Sequence, residues 1–165
     1  MAGILDTALA AALESGASET VDGRPFLTLL DFGTGRRYGL SLVDGEARWA
    51  RALDGVVVLF GPGTERRFLE VLEHDRRGVD DRLEAAAAAA GLPGEETLFS
   101  FPVDALVAAL LDERNPSDCR LALSWLLPTD LRGLREHIAP LADDSSLPLD
   151  LRDFAAHLTV RPAGG

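Results

Sequence analysis

The chain predicts an α+β fold: an N-terminal helix, a four- to five-stranded antiparallel β-meander and a C-terminal array of short helices. Three observations predict it. Apolar residues at helical spacing open the chain. Asp-Gly and Gly-x-Gly turns then punctuate residues 22–55 at intervals of 10 to 11 residues. Finally, Pro-x-Asp recurs as Pro102-Val103-Asp104, Pro116-Ser117-Asp118, Pro128-Thr129-Asp130 and Pro148-Leu149-Asp150.

Ile4, Leu5, Ala8, Leu9, Ala12 and Leu13 share one helical face, and Gly16 is a natural stop. The turns at Asp22-Gly23, Gly33-Thr34-Gly35, Asp44-Gly45 and Asp54-Gly55 bound strands over 25–32, 36–43, 46–53 and 56–60. Asp-Gly between apolar runs favours a hairpin because a type I′ turn needs φ > 0 at both central residues. Two-residue turns would place Leu40 opposite Trp49, and Trp49 opposite Phe60, as a row on one face. Ser41, Val43, Glu46 and Arg48 fall on the other.

Gly61-Pro62-Gly63 ends the fourth strand, and Thr64 is suited to cap a helix carrying Phe68, Leu69, Val71 and Leu72. A helix over 79–90 ends in six alanines and Gly91, thin enough to let a neighbour approach closely. Residues 97–101 read as a fifth strand. Each Pro-x-Asp then starts a helix. Proline loses no bond at the first helical position, and an acid in the first turn suits the helix dipole. The predicted spans are 102–112, 116–127, 129–139 and 148–158, with Phe154 and Leu158 buried on the last. No Pro-, Gly- or Ser-rich boundary separates independent domains. The expectation is one domain of helix plus meander (1–62), a mainly helical remainder (63–160) and a frayed tail (161–165).

The 165 residues carry 27 acids against 16 basic residues, all arginine, for a net charge of −11. Residues 1–94 hold 15 acids and 10 Arg, and residues 95–165 hold 12 and 6, so the charge is spread evenly. Such a field disfavours nucleic acid and anionic lipid and suits a basic protein partner. Without lysine there is no Schiff-base or phosphate-loop lysine chemistry. A single cysteine, Cys119, excludes an internal disulfide and a Cys-rich metal site. The first residues lack the basic start of a signal peptide, and no apolar run reaches membrane-spanning length, so a cytoplasmic protein without membrane association is expected.

The best candidate site is a pair of glycine loops with twin arginines: Gly33, Gly35, Arg36 and Arg37 in one, and Gly61, Gly63, Thr64, Arg66 and Arg67 in the other. A glycine loop opening onto a helix can offer free N–H groups to an anion, and arginine adds a charged fork. Yet the dinucleotide fingerprint is incomplete, because Arg66 stands where its third glycine belongs. His137 and His157 fill the same slot of successive Pro-x-Asp units as Trp125, and so read as packing positions near helix ends. Cys119 lies on an apolar helical stripe and reads as core. Arg76-Arg77 reads as an end-of-helix pair. No cofactor or metal is expected.

These observations point to a non-catalytic acidic protein-binding module of chaperone, immunity or adaptor type. Its expected contact surface is the meander face around Val43, Glu46 and Arg48. The alternative is a phosphate- or nucleotide-binding enzyme or sensor that uses the loops 33–37 and 61–67.

Overall fold

The computed structural model describes residues 2–16 and 18–160. The tail considered above lies outside them. In chain order the elements are α1 (Ile4–Glu14), β1 (Glu19–Val21), β2 (Arg24–Asp31), β3 (Arg37–Val43), β4 (Glu46–Leu53), β5 (Val56–Leu59) and a 3-10 turn (Glu65–Phe68). Then follow α2 (Leu69–Leu72), α3 (Arg76–Ala90), α4 (Gly94–Ser100), α5 (Val103–Asp112), α6 (Pro116–Trp125), α7 (Leu131–Ala142) and α8 (Leu149–Val160). This is the expected α+β architecture. No helix among the described residues is long and apolar enough to cross a membrane.

The chain forms two compact units, Met1–Phe68 with Arg77–Pro102, and Leu69–Arg76 with Val103–Gly165. The units do not follow chain order, because α4 and all of α3 but its first residue join the sheet.

The first unit is built on one curled antiparallel sheet of order β1-β2-β3-β4-β5. Asp22, Asp44 and Asp54 take φ of 54°, 51° and 50°, each followed by a positive-φ glycine, so the three Asp-Gly turns adopt the conformation their sequence demands. Leu40 pairs with Trp49 and Leu42 with Ala47. The Phe60 N–H donates to the Trp49 carbonyl at 2.8 Å.

Two local features curl the sheet. The register of β2 against β3 slips between Thr28 and Leu30, so Leu29 is an extra residue. Beside it, a Cβ on Gly39 would lie 1.9 Å from the Leu27 carbonyl oxygen. Only glycine lets β2 bend this closely over β3.

Both faces of the curl are filled. Leu27, Leu30, Tyr38, Leu40 and Trp49 are buried on one. There the Trp49 indole donates to Ser100 Oγ at 2.9 Å, Phe101 meets its ring edge-on at 5.1 Å, and Tyr38 packs on Phe68. On the other face Val21, Phe26, Ala50 and Ala52 form a small cluster with Val57 and Leu59 against it.

Two expectations fail in this unit. Residues 97–101 are not a strand: Gly94–Ser100 is helical. The Pro93 carbonyl accepts both the Thr97 N–H and the Thr97 hydroxyl, at 3.0 and 2.6 Å. Glu95 and Glu96 occupy the first turn, where the dipole favours them. The fifth strand is instead β1, polar and three residues long. The alanine run of α3 also meets a neighbour less than expected, because Ala87 is buried but Ala85, Ala88 and Ala89 are exposed.

The second unit is the helical array. Leu106, Leu110, Cys119, Leu123, Leu134, Ile138 and Leu151 are buried in it. Pro116 is the first residue of α6, capped by Asn115, whose side chain accepts the Asp118 N–H. Pro102 and Pro148 stand one residue before α5 and α8. Pro128 departs from the pattern. It lies in a turn, and α7 starts three residues on at Leu131. That helix also runs through Pro140 to Ala142 rather than stopping at 139. Phe154 stays 37% exposed, because the buried stripe of α8 runs along Leu151 and Ala155.

Candidate functional site

In the first glycine loop Gly33 and Gly35 take φ of 78° and 87°. The Gly33 N–H is held by the Asp31 carboxylate at 2.9 Å, and the Arg36 N–H reaches Thr34 Oγ1 at 3.4 Å. Arg36 is exposed. Arg37 turns onto the sheet, where it pairs with Glu19, donates to Thr28 Oγ1 at 3.5 Å and lies 5.9 Å over the Phe26 ring.

The second loop is closed on itself. The Gly61 N–H donates to Thr64 Oγ1 at 2.9 Å, and the Thr64 hydroxyl donates to the Leu59 carbonyl at 2.8 Å. The Gly63 N–H is taken by the Glu65 carboxylate at 2.9 Å. A carboxylate of the chain thus sits where an incoming anion would bind. Thr64 was expected to cap a helix with its side chain. Instead its hydroxyl turns back to the loop, and a four-residue 3-10 turn follows. Arg66 and Arg67 are exposed.

The register also keeps the loops apart. Arg37 lies opposite Ala52, whereas Phe60, just before Gly61, bonds to Trp49. That offset is roughly 10–13 Å along β4, with β4 itself between β3 and β5.

The titratable residues singled out by sequence have structural partners or exposed positions. His137 Nδ1 contacts Asp112 Oδ1 at 3.0 Å on the surface, and His157 is exposed, so only Trp125 is buried in the slot the three share. Burial pushes the Cys119 thiol pKa up, as for a core residue. Among the described residues no group of three or more His, Cys, Asp or Glu is placed to hold a metal ion.

Sequence reasoning missed one cluster entirely. Arg76 opens α3 rather than ending a helix. Its guanidinium lies 4.3 Å over the Trp125 ring, and Nη1 donates to the Trp125 carbonyl at 3.4 Å and to Asp130 Oδ2 at 3.2 Å. Asp130 Oδ2 also accepts the Leu127 N–H at 2.8 Å, and the Trp125 indole donates to the His74 carbonyl at 2.8 Å. Arg76, Trp125 and Asp130 each stood out in the sequence, as an arginine pair, a packing slot and a Pro-x-Asp unit, but nothing there joined them.

Two surfaces carry apolar and charged groups together. On the meander, Val43 faces Glu46 and Ser41 faces Arg48. Glu46 and Arg48 are exposed and Val43 is half-buried, so α1 does not cover this end of the face. Arg48 Nη2 reaches the Phe60 carbonyl at 3.5 Å. The second surface is on α4. Phe99 is 79% exposed, and Glu95 and Glu96, four and three residues before it, are exposed beside it. The opposite side of the same helix is locked by buried Thr97 and by the bond of Ser100 to Trp49.

Comparison with known proteins yields no matching family model, no similar curated protein and no similar solved structure.

Proposed function

We propose that this chain is a non-catalytic acidic protein-binding module, of chaperone, immunity or adaptor type, that takes a basic protein partner. The observation that carries this reading is Phe99. The residue is 79% exposed on a helix whose other side is pinned to the sheet. A large exposed aromatic on a pinned helix offers apolar area to bury with only two side-chain torsions to order, which makes it an effective anchor for a partner. Glu95 and Glu96 flank it, and the net charge of −11 extends the same sign over the chain, so a cationic partner is steered toward it. The meander end with Val43, Glu46 and Arg48 is a second contact surface on this reading. The phosphate-binding alternative draws no support from loops whose Gly33, Gly61 and Gly63 N–H groups are already engaged.

The test is affinity capture from the native host with mass spectrometry, run in parallel on wild type and on Phe99→Asp. A basic protein present with the first and absent with the second, at equal melting temperature, supports the reading. The same captured set from both removes Phe99 as the anchor. Substrate turnover in a hydrolase and transferase panel, lost on changing one residue, removes the non-catalytic class.

A further inference from the structure

Among the described residues β5 is the last strand of the sheet and pairs only with β4. Opposed residues of an antiparallel ladder alternate between hydrogen-bonded and non-bonded pairs. Val56 opposite Leu53 closes the two-residue turn, and Val58 opposite Arg51 takes the next bonded place. Phe60 continues the series with its N–H on the Trp49 carbonyl. Val57 and Leu59 therefore turn their N–H and C=O groups away from β4.

The Leu59 carbonyl is already taken by the Thr64 hydroxyl. The Val57 N–H, the Val57 C=O and the Leu59 N–H have no hydrogen-bond partner among the described residues. The strand reads Val-Val-Val-Leu, with none of the charges or prolines that protect sheet edges. Val56 is 53% exposed. On the opposite face of the strand Val57 and Leu59 border the Phe26–Ala50–Ala52 cluster, which an added strand would extend.

We infer that β5 is a strand-addition site that takes an extended, basic-flanked segment of a protein partner as a sixth strand. This rests on the protein-binding reading but uses a surface other than Phe99. Three outward backbone groups, two donors and one acceptor, specify an extended main chain, because a strand offers two acceptors and a donor at that spacing. The Thr64 hydroxyl seals the next carbonyl and ends the site at Leu59. Exposed Asp54, two residues before Val56, favours a basic residue at that end of the incoming segment. A second copy of this chain carries the same charge of −11 and is repelled.

The test uses a fluorescein-labelled peptide, Arg-Val-Thr-Val-Thr-Val-Arg, titrated with the full chain and read by anisotropy. Val57→Pro removes an N–H that points away from β4 and so leaves the β4–β5 ladder in place. Val57→Thr keeps it. The expected result is saturable binding to wild type, Val57→Thr and Phe99→Asp, weakened roughly tenfold by Val57→Pro. The Val57 and Leu59 amides should also exchange slowly only when the peptide is bound. If Val57→Pro unfolds, two peptides, N-methylated at the central valine or at the threonine before it, test the wild-type chain, since in either register one of them lacks the donor that faces the Val57 carbonyl. Equal binding of the blocked and unblocked pairs, or no saturable binding to wild type, overturns the site. A wild-type dimer in sedimentation that Val57→Pro makes monomeric overturns the assignment of the partner, since the occupant is then a second copy.

Discussion

The carboxylate of Asp6 holds the backbone of Ala47, accepting its N–H on Oδ1 at 2.8 Å. Its other oxygen accepts the Gly3 N–H at 2.7 Å. One side chain thus closes the first turn of α1 and ties that helix to β4, at a place on β4 beyond the end of β5.

These bonds lower the pKa of Asp6, the Ala47 N–H most and the Gly3 N–H next. A carboxyl whose folded pKa is depressed stabilises the fold above its unfolded pKa of about 3.9, and that contribution is lost as pH falls through the lower folded value. Asp6→Asn should cost about 1 kcal/mol at neutral pH. It should also flatten the fall in stability below about pH 4. Urea melts of both proteins from neutral to acid pH check this. An unchanged acid limb in Asp6→Asn would assign the acid sensitivity to other carboxylates, among them Asp144 and Asp150, which are also lowered.

Gly39→Ala is expected to be the most damaging single-methyl change in the sheet. The new Cβ would meet the backbone of Leu27, which cannot swing aside as a side chain can. Overpacking of this kind costs roughly 1–3 kcal/mol. Chemical denaturation measures it. Alanine at Gly61, where a Cβ meets nothing within 4 Å and φ is not positive, is the neutral control.

Asp130 should stand apart from the other Pro-x-Asp acids. Asp150 makes an exposed two-bonded contact with Arg120, at 3.3 and 3.1 Å. Exposed pairs contribute little. Asp130 and Arg76 are each only 16% exposed, and they share their contact with Trp125 and the Leu127 N–H. Asp130→Ala should therefore cost about 1–3 kcal/mol, and Asp150→Ala clearly less. A double-mutant cycle with Arg76→Met should give a coupling above about 0.5 kcal/mol. Equal losses at the two acids would mean that dipole placement alone explains both.

Charge reversal at Glu46→Arg with Arg48→Glu tests the meander surface. Both side chains are exposed, so the melting temperature should move by no more than a surface change does, within about ±0.5 kcal/mol per site. Partner capture should weaken. Unfolding, or capture at full strength, would place the contact elsewhere.

The turns and the register of the meander were legible because local chemistry decides them. An Asp-Gly pair between apolar runs adopts positive φ at both residues wherever the chain goes, and a two-residue turn then dictates which residues face each other. Leu40 met Trp49 for that reason. The burial of Cys119 on α6 was legible for a similar reason, since spacing on one helix is a property of that helix. Residues 97–101 were not legible. Their run is too short for either period to be distinguished, and the Thr97 hydroxyl found its acceptor at Pro93. β1 was missed because Glu19-Thr20-Val21 has no apolar alternation, and it is a strand only because β2 offers it a ladder. In the glycine loops, composition suggested free N–H donors, but side chains two or three residues away in the same loops, Asp31, Thr64 and Glu65, accept them, a local competition that the glycine pattern alone does not reveal. The clasp of Arg76 on Trp125 spans 49 residues of sequence. A cation finds an aromatic face and a carboxylate at that separation only when the helices between them have packed, so no local pattern announces it.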